Sequence, residues 1–205
     1  MNQRQVTEPI TVQEPFGGAE VARELRALHD RSRELWSGFS TTEFFFPLGD
    51  AWSPADNIRH LLKSNRPVLR ALSTPKVLLL FRFGAGLRPS QTYSEVRERY
   101  LARLAAGVTA GRFAPRPLGS SDQTEEHRSS LMAALDQVSK DLTGAVSGWG
   151  EWQLDRFRLP HPALGRLTVR EMLFFTLYHN FHHVQNVVRR AGSRVVTSAA
   201  PSPRL

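Results

Sequence analysis

The chain has 205 residues, of which 40% are hydrophobic and 22% are charged, and its formal net charge is +8. This composition is ordinary for a soluble globular chain and too polar for a membrane protein, and the length suits one domain rather than two. There is no cysteine, which excludes disulfides, thiolate metal ligands and a cysteine nucleophile. Any bound metal must therefore be held by histidine and carboxylate side chains.

The positive charge raises the question of nucleic-acid binding. The cations are almost all arginine and are spread over every predicted helix without a basic run, so nucleic acid is the least favoured partner. The longest apolar run, Val77 to Phe81, is too short to span a bilayer. The N-terminus lacks the basic and then apolar layout of a signal peptide, so we expect a cytoplasmic protein without membrane association.

The N-terminal part of the chain is predicted to hold a flexible segment and a first helix. Residues 1–17 are polar and contain two prolines, so we expect them to be flexible. From about residue 18 to Gly38, apolar residues recur at helical spacing and form one stripe. These residues are Val21, Leu25, Leu28, Leu35 and Trp36.

A second helix is predicted to begin after Ser53. This serine is a suitable N-cap, Pro54 fits the first helical position, and Asp56 stands where a capping box places an acid. His60 lies two turns into this helix. Pro67 is expected to kink or end it, because proline lacks an amide hydrogen and collides with the preceding turn.

The middle of the chain gives weaker signals. The segment 74–90 is a short apolar stretch followed by Gly and Pro, and a helical turn and an extended packing segment are both compatible with it. Thr92 and Glu95 form a capping-box pair that predicts the start of a helix. A Gly- and Pro-rich loop is predicted over 107–120, and a further helix over about 122–146.

The last helix is the best-marked element and is predicted from Thr168 to Arg190. Thr168 and Glu171 form a capping box, and Gly192 follows as a stop signal. The tail 193–205 is predicted to be flexible. No strand is predicted, so several amphipathic helices joined by loops indicate an all-α bundle.

The three histidines of the last helix are predicted to face different directions. At about 100° per residue, His179 and His183 lie between the core stripe and the solvent side, whereas His182 falls on the solvent side with Glu171. Residues at i and i+4 have Cβ atoms about 5 to 6 Å apart, so His179 and His183 can bind one cation. The spacing alone is weak support, and a third ligand has to come from elsewhere.

Two stretches of the chain resemble the DinB-like superfamily of DinB/YfiT-type proteins. Residues 52–61, WSPADNIRHL, resemble its first signature, in which a W-S/T-P-A-E segment opens a helix that bears a histidine. Residues 159–183, LPHPALGRLTVREMLFFTLYHNFHH, resemble its His-Pro and Gly-containing turn followed by a capped helix with H-x-x-x-H. The order and spacing of the helices extend the likeness over about residues 18–192, which we expect to form one domain.

The resemblance implies a four-helix bundle in up-down-down-up order with a long crossover, and a divalent metal held by three histidines. Matched residue by residue, these ligands are His60, His179 and His183. Many relatives carry Gln seven residues after the first histidine of the last helix, where this chain has Asn186. A contact that orients a ligating imidazole can therefore differ here from that in relatives, with Asn186 as its candidate. Asp56, one turn before His60, is a second candidate for such a contact, although a helix-capping role alone is favoured for it.

Three neutral imidazoles leave a divalent ion with an open coordination position, as in catalytic zinc sites. Zinc or nickel is the expected ion, although the ligand set does not fix the metal, because imidazole also accepts Fe, Cu and, less readily, Mn. The resemblance implies as leading function an enzyme that transfers a low-molecular-weight thiol such as bacillithiol, mycothiol or glutathione. A metal-dependent hydrolase and a non-enzymatic metal-binding stress-response protein are the alternatives. A small-molecule substrate or thiol is the expected partner, and the resemblance suggests a homodimer. Of the remaining histidines, His29 and His127 are expected to be structural or solvent-facing, and His161 is expected to be structural, with lining of the active site as the alternative.

Overall fold

The computed structural model describes residues 10–86 and 88–198, with side chains described as far as residue 192. These residues form α-helices, two single-turn 3-10 helices in the loop before α6, and one antiparallel hairpin. The helices are α1 (Gly18–Ser37), α2 (Thr41–Phe45), α3 (Pro54–Ser73), α4 (Lys76–Phe83), α5 (Tyr93–Ala105), α6 (Glu125–Val146), α7 (Glu151–Arg156) and α8 (Val169–Ser198). The hairpin strands are β1 (Arg158–His161) and β2 (Gly165–Thr168).

The four long helices α1, α3, α6 and α8 form the bundle. Helices α1 and α6 are antiparallel, because Gly18 at the start of α1 lies next to Val146 at the end of α6. At the other end of this pair, Arg128 Nη2 donates to the carbonyl oxygen of Ser37 at 3.2 Å. Helix α8 starts beside the start of α1, where Arg170 donates to the carbonyl oxygen of Phe16 at 2.9 Å, so α1 and α8 are parallel.

Contacts of α3 complete the order. Asn57 near its start contacts His183, and Asn65 further along contacts Asn180, so α3 is antiparallel to α8. The indole of Trp149, just after α6, donates to the carbonyl of Leu72 at the end of α3, so α3 and α6 are parallel. The bundle is therefore up-down-down-up, as predicted. The crossover over residues 74–124 carries α4 and α5.

The predicted helix starts are confirmed where a local cap defines them. Ser53 Oγ accepts the amide of Asp56 at 3.0 Å, and Thr168 and Glu171 exchange the two hydrogen bonds of a capping box at 2.9 and 3.2 Å. Helix α3 does not end at Pro67 but runs on to Ser73. Apolar residues beyond the proline are buried in the bundle, and tertiary packing of this kind supplies most helical stability.

The helix stop predicted at Gly192 is not observed, and part of the N-terminal segment contacts the bundle. Helix α8 continues through Gly192 to Ser198, so the predicted stop at this glycine is wrong. One glycine costs only about 1 kcal/mol in a helix interior, which is not enough to stop an established helix. Flexibility of the tail 193–205 stays a prediction. Ile10 is buried, and the amide of Gln13 donates to Glu24 at 3.1 Å, so the segment 1–17 packs on the bundle from residue 10 onward. Residues 1–9 and 199–205 lie outside the described residues.

The hairpin was not predicted, because each strand has only four residues and shows no sustained alternation. Leu159 pairs with Leu167 and His161 with Gly165, and both leucines are buried against the bundle. Gly165 has a φ of 76°, a backbone conformation that glycine adopts without strain. Within the segment 74–90, Lys76–Phe83 form α4, so the helical alternative is the observed one for that part. None of the helices in the described ranges combines the length and apolar character that a bilayer crossing requires.

Candidate metal centre

The structure brings the three predicted ligands together. His60 of α3 and His179 and His183 of α8 are 4%, 4% and 8% exposed. One nitrogen from each ring lies within 4.8 Å of the others, and the Nε2 atoms of His60 and His179 are 3.0 Å apart. Tetrahedral zinc with Zn–N bonds of about 2.0 to 2.1 Å separates its nitrogens by about 3.3 Å. The spacing of the three imidazoles therefore fits one ion.

A backbone carbonyl orients His60. Its Nδ1 lies 3.0 Å from the carbonyl oxygen of Phe113, in a 3-10 turn of the crossover, so Nδ1–H donates and Nε2 presents a lone pair to the other two rings. Asp56, the residue predicted to orient His60, instead accepts hydrogen bonds from Ser53 Oγ at 2.8 Å and Arg59 at 3.1 Å. The cap of α3 therefore uses this carboxylate, so of the two roles considered for Asp56 the capping role, which the sequence favoured, is the observed one.

A buried asparagine orients His183. Nδ1 of His183 lies 2.8 Å from Oδ1 of Asn57. The amide nitrogen of Asn57 donates to the carbonyls of Ser53 at 2.9 Å and Trp52 at 3.3 Å, so its oxygen must face the histidine. Nδ1 of His183 is then the protonated nitrogen, and Nε2 carries the lone pair. Asn57 was not singled out from the sequence, although a residue three before His60 shares its helical face.

The second predicted contact, from Asn186, goes to a different histidine. Its amide nitrogen lies 3.0 Å from Nε2 of His182, and its oxygen accepts from Arg189. The hydrogen bonds of Asn186 in the described structure thus go to His182 and Arg189 rather than to a ligating imidazole. His182 itself is half-buried and packs near Tyr100 of α5, with ring centroids 6.3 Å apart.

The crossover covers the predicted solvent side of α8, through α5 and through the residues just before it. Glu171, expected there, is fully buried and accepts hydrogen bonds from Arg88 at 2.5 and 2.8 Å. Burial raises the pKa of Glu171, but hydrogen bonds from Arg88 and from the amides of Gln91 and Thr168 outweigh it and hold the pKa below its usual range. The periodicity of one helix cannot reveal a side that the crossover covers.

The electrostatics of the cluster suit a cation. Burial is the main cause that lowers the pKa of His179 and His183 well below the usual value, and neighbouring imidazoles add to it. Burial also lowers the pKa of His60, against a smaller opposing effect of the Phe113 carbonyl. Neutral rings are the form that binds metal. The Nε2 lone pairs of His60 and His183 are both directed into the buried histidine cluster inside the bundle, and a cation there would accept both.

One nitrogen of the cluster lacks a partner. Within the described residues, Nδ1 of His179 is buried without a hydrogen bond. The His179 ring is held by stacking on Phe175, with centroids 5.1 Å apart and planes at 21°. Trp52 covers the other side of the cluster, stacked on His183 at 5.9 Å and 5.0 Å from His60. Aromatic packing therefore positions the rings where hydrogen bonds do not.

A cavity of about 440 Å³ opens beside the three imidazoles. Its walls are mainly apolar, with residues from α3, α5, β1 and α8, and its lining includes the half-buried His161 and His182. Among the described residues that line it, Arg112 is the one arginine, and there is no lysine, aspartate or glutamate. Volumes of this size accommodate drug-sized molecules.

The other two histidines lie apart from the cluster. His29 pairs with Asp136 at 2.9 Å between α1 and α6. Nδ1 of His127 lies 2.6 Å from the carbonyl oxygen of Asp122, close to the start of α6. Neither residue lines the cavity, in line with the structural roles predicted for them.

The fold and the cluster define a four-helix-bundle protein with three convergent histidines. A family model of the DinB superfamily matches residues 24–187, and the chain belongs to this superfamily. No curated protein matches the chain significantly.

Two solved structures share the fold. TT2238, described as a four-helix bundle protein, is 17% identical, with a TM-score of 0.51, and the match covers 83% of this chain and 97% of that one. YfiT from Bacillus subtilis, described as a probable metal-dependent hydrolase with an unusual four-helix bundle topology, is 14% identical. Its TM-score is 0.54, and the match covers 92% of this chain and 95% of YfiT.

Proposed function

We propose that the chain binds one divalent transition-metal ion through His60, His179 and His183 and acts as a metal-dependent hydrolase of a small molecule. The observation that carries this proposal is the convergence of three buried imidazoles beside an open cavity. The description of YfiT as a probable metal-dependent hydrolase supports the same reaction class. A non-enzymatic metal-binding protein would not need a cavity of about 440 Å³ next to the ion.

The residues around the ion have defined tasks. The Phe113 carbonyl and the Asn57 amide fix the tautomers of His60 and His183, which keeps both Nε2 lone pairs available. A divalent ion bound there supplies Lewis-acid chemistry, which activates water and polarises a substrate carbonyl. No carboxylate lines the described part of the cavity, so a general base of that type is not part of the proposed mechanism. The apolar walls bind the substrate and limit the access of bulk water.

Transfer of a low-molecular-weight thiol is the second candidate. The chain has no cysteine, so a thiolate would have to come from a second molecule, and Arg112 in the cavity lining suits a carboxylate of such a cofactor. We place this function second because thiols such as glutathione carry several charges, whereas the described part of the lining has one charged side chain, that of Arg112, to bind them. Nickel or zinc as the ion, a stress-response role and a homodimer remain predictions.

Hydrolysis is tested with 4-nitrophenyl esters of increasing acyl length, on protein stripped of metal and then reloaded with zinc or nickel. We expect turnover that requires the metal, is lost in His183→Ala and is retained in the control His127→Gln. His127 lies outside the cavity lining, so this control measures the effect of a histidine replacement away from the site. Equal turnover with and without metal, or in His183→Ala, would remove the proposal.

The thiol reaction is tested separately with monochlorobimane and glutathione, bacillithiol or mycothiol. Conjugation above the uncatalysed rate that disappears with a chelator would favour transfer over hydrolysis. Conjugation at the uncatalysed rate with all three thiols would eliminate the second candidate.

A further inference from the structure

His161 lies at the end of β1 and is part of the cavity wall, and its ring has a fixed tautomer. Its Nδ1 accepts hydrogen bonds from the backbone amides of Ala163 at 3.2 Å and Leu164 at 3.0 Å. A ring nitrogen that accepts two N–H groups carries no proton, so a neutral imidazole must carry its proton on Nε2. The hairpin turn therefore makes His161 a hydrogen-bond donor through Nε2.

The orientation of this ring is braced from α5. Arg99 donates to the carbonyl oxygen of Leu164 at 2.5 Å, and Arg103 donates to that of Ala163 at 3.0 Å. The amide and carbonyl groups of both turn residues are thus paired, either with His161 or with an arginine. Burial, and secondarily the charge of Arg99, lowers the pKa of His161 to about 4, so the ring stays neutral near pH 7.

The Nε2–H group has no acceptor among the residues that the structure describes, and the ring is part of the cavity lining. Phe175 contacts both His161 and the cluster, with ring centroids 4.2 Å from His161 and 5.1 Å from His179, and His161 lines the same cavity as the three imidazoles. A single small molecule in the cavity can therefore reach both the cluster and His161. The remaining walls offer apolar contacts from residues such as Val68, Leu104 and Leu159.

We propose that the cavity binds an apolar carbonyl compound or carboxylic acid whose oxygen accepts the Nε2–H of His161, while its hydrocarbon part contacts the apolar walls. This inference rests on the proposed function, because it assigns the substrate class of the same cavity. His161 favours ligands with an oxygen acceptor, because an ammonium group presents only donors to its Nε2–H, and the Arg112 guanidinium in the same lining favours an acid in the same direction. No aspartate or glutamate in the described lining compensates an ammonium charge.

Two substitutions separate the donor role of His161 from its role in the turn. In His161→Asn, the side-chain oxygen can take the place of Nδ1 and accept the two turn amides, but the donor at Nε2 is lost. In His161→Gln, the side-chain amide reaches the position of Nε2 and keeps a donor there, but the turn amides lose their acceptor. If the Nε2–H donor binds the ligand, His161→Gln should bind the ligand more tightly than His161→Asn. His161→Gln should nevertheless have the lower thermal stability of the two.

The probes are 4-phenylbutyrate and 4-phenylbutylamine, titrated by isothermal calorimetry into zinc-loaded and metal-free protein. We expect wild type to prefer the acid over the amine in both forms. His161→Asn should bind 4-phenylbutyrate about 10- to 100-fold more weakly, because a hydrogen bond to a charged acceptor is lost. His161→Gln should stay within a few-fold of wild type while melting at a lower temperature, and the control His127→Gln should bind as wild type does.

Three results would overturn the inference: no saturable binding of 4-phenylbutyrate to wild type, equal affinity for the amine, or affinity of His161→Asn within twofold of wild type. Zinc content measured on the same samples reports on the proposed function separately. If wild type bound no zinc but His161→Asn still lost affinity for the acid, the metal-dependent reaction would fail and the ligand class would stand. If zinc bound normally and His161→Asn kept its affinity for the acid, the proposed metal site would stand and the ligand class would fail.

Discussion

Replacing Asn57 with leucine should weaken metal binding although Asn57 does not touch the ion. Its Oδ1 accepts the Nδ1 proton of His183 at 2.8 Å, and its amide nitrogen is fixed by two backbone carbonyls. Leucine has a similar size but accepts no hydrogen bond, so the buried Nδ1–H loses its partner and the ring is free to protonate Nε2 instead. Both effects act against a lone pair directed at the ion.

The size of the effect follows from the hydrogen bond. A neutral hydrogen bond contributes about 1 kcal/mol, and a charge-assisted one about twice that, because the bound cation makes the imidazole N–H a stronger donor. The hydrogen bond from His183 to Asn57 is therefore stronger by about 1 kcal/mol when the ion is bound, and Asn57→Leu removes this gain. In addition, holding His183 in the tautomer with the proton on Nδ1 costs the variant free energy. We expect zinc affinity to fall about 10- to 100-fold, or about 1.4 to 2.7 kcal/mol, which is the usual range for such partners.

The assay is competition for zinc against a chromophoric chelator, with Asn65→Leu as the matched control. Asn65 is 3% exposed, against 5% for Asn57, lies two turns further along α3, and contacts Asn180 rather than a histidine. Both variants should lose about 1 to 3 kcal/mol of stability, since each leaves buried polar groups unpaired. Only Asn57→Leu should lose zinc affinity. Equal zinc affinity in the two variants would refute the orienting role.

Three further predictions concern the surroundings of the site. Arg88→Met should lower the free energy of unfolding in urea by about 1.5 to 3 kcal/mol, because fully buried Glu171 loses two charged hydrogen bonds; an unchanged value would contradict this. For metal-free protein, the unfolded state binds a proton at His161 near pH 6.5 and the folded state only near pH 4, so this residue should remove about 2 kcal/mol of stability between pH 7 and pH 5. That loss should be absent in His161→Asn, and parallel stability curves for the two proteins would contradict it. Paramagnetic nickel should quench the indole of Trp52, which stacks on His183 at 5.9 Å, and Trp52→Phe should remove most of the quenching; equal quenching in both proteins would place the ion elsewhere.

The sequence predicts those features that short-range rules determine. The caps at Ser53 and Thr168 depend on residues three positions apart, and both form as predicted. His179 and His183 share a helical face at i and i+4, and the structure places them together. The position of His60 opposite them depended on the family resemblance, because nothing within α3 alone indicates which helix it faces.

Several contacts around the site were not predicted from the sequence, and two of them are made by the crossover, residues 74–124. Phe113 reaches His60 from a loop more than fifty residues away in sequence, and its contribution is a backbone carbonyl, which leaves no residue-specific signal. His182 was predicted to face solvent and is instead half-buried beside Tyr100, because α5 covers that side of α8. The orienting contact comes from Asn57, which accepts from His183, whereas Asp56 is occupied by the cap of α3.

The most direct test of the three-histidine site is the metal content of zinc-reconstituted, tag-free protein, measured on wild type and on four alanine variants. We predict one equivalent of zinc for wild type and for His182→Ala, and loss of zinc from His60→Ala, His179→Ala and His183→Ala. X-ray absorption of the wild type should show three imidazole nitrogens at about 2.0 Å and at least one further light atom. Zinc retained by His183→Ala and lost from His182→Ala, or a shell without three imidazoles, would contradict the site.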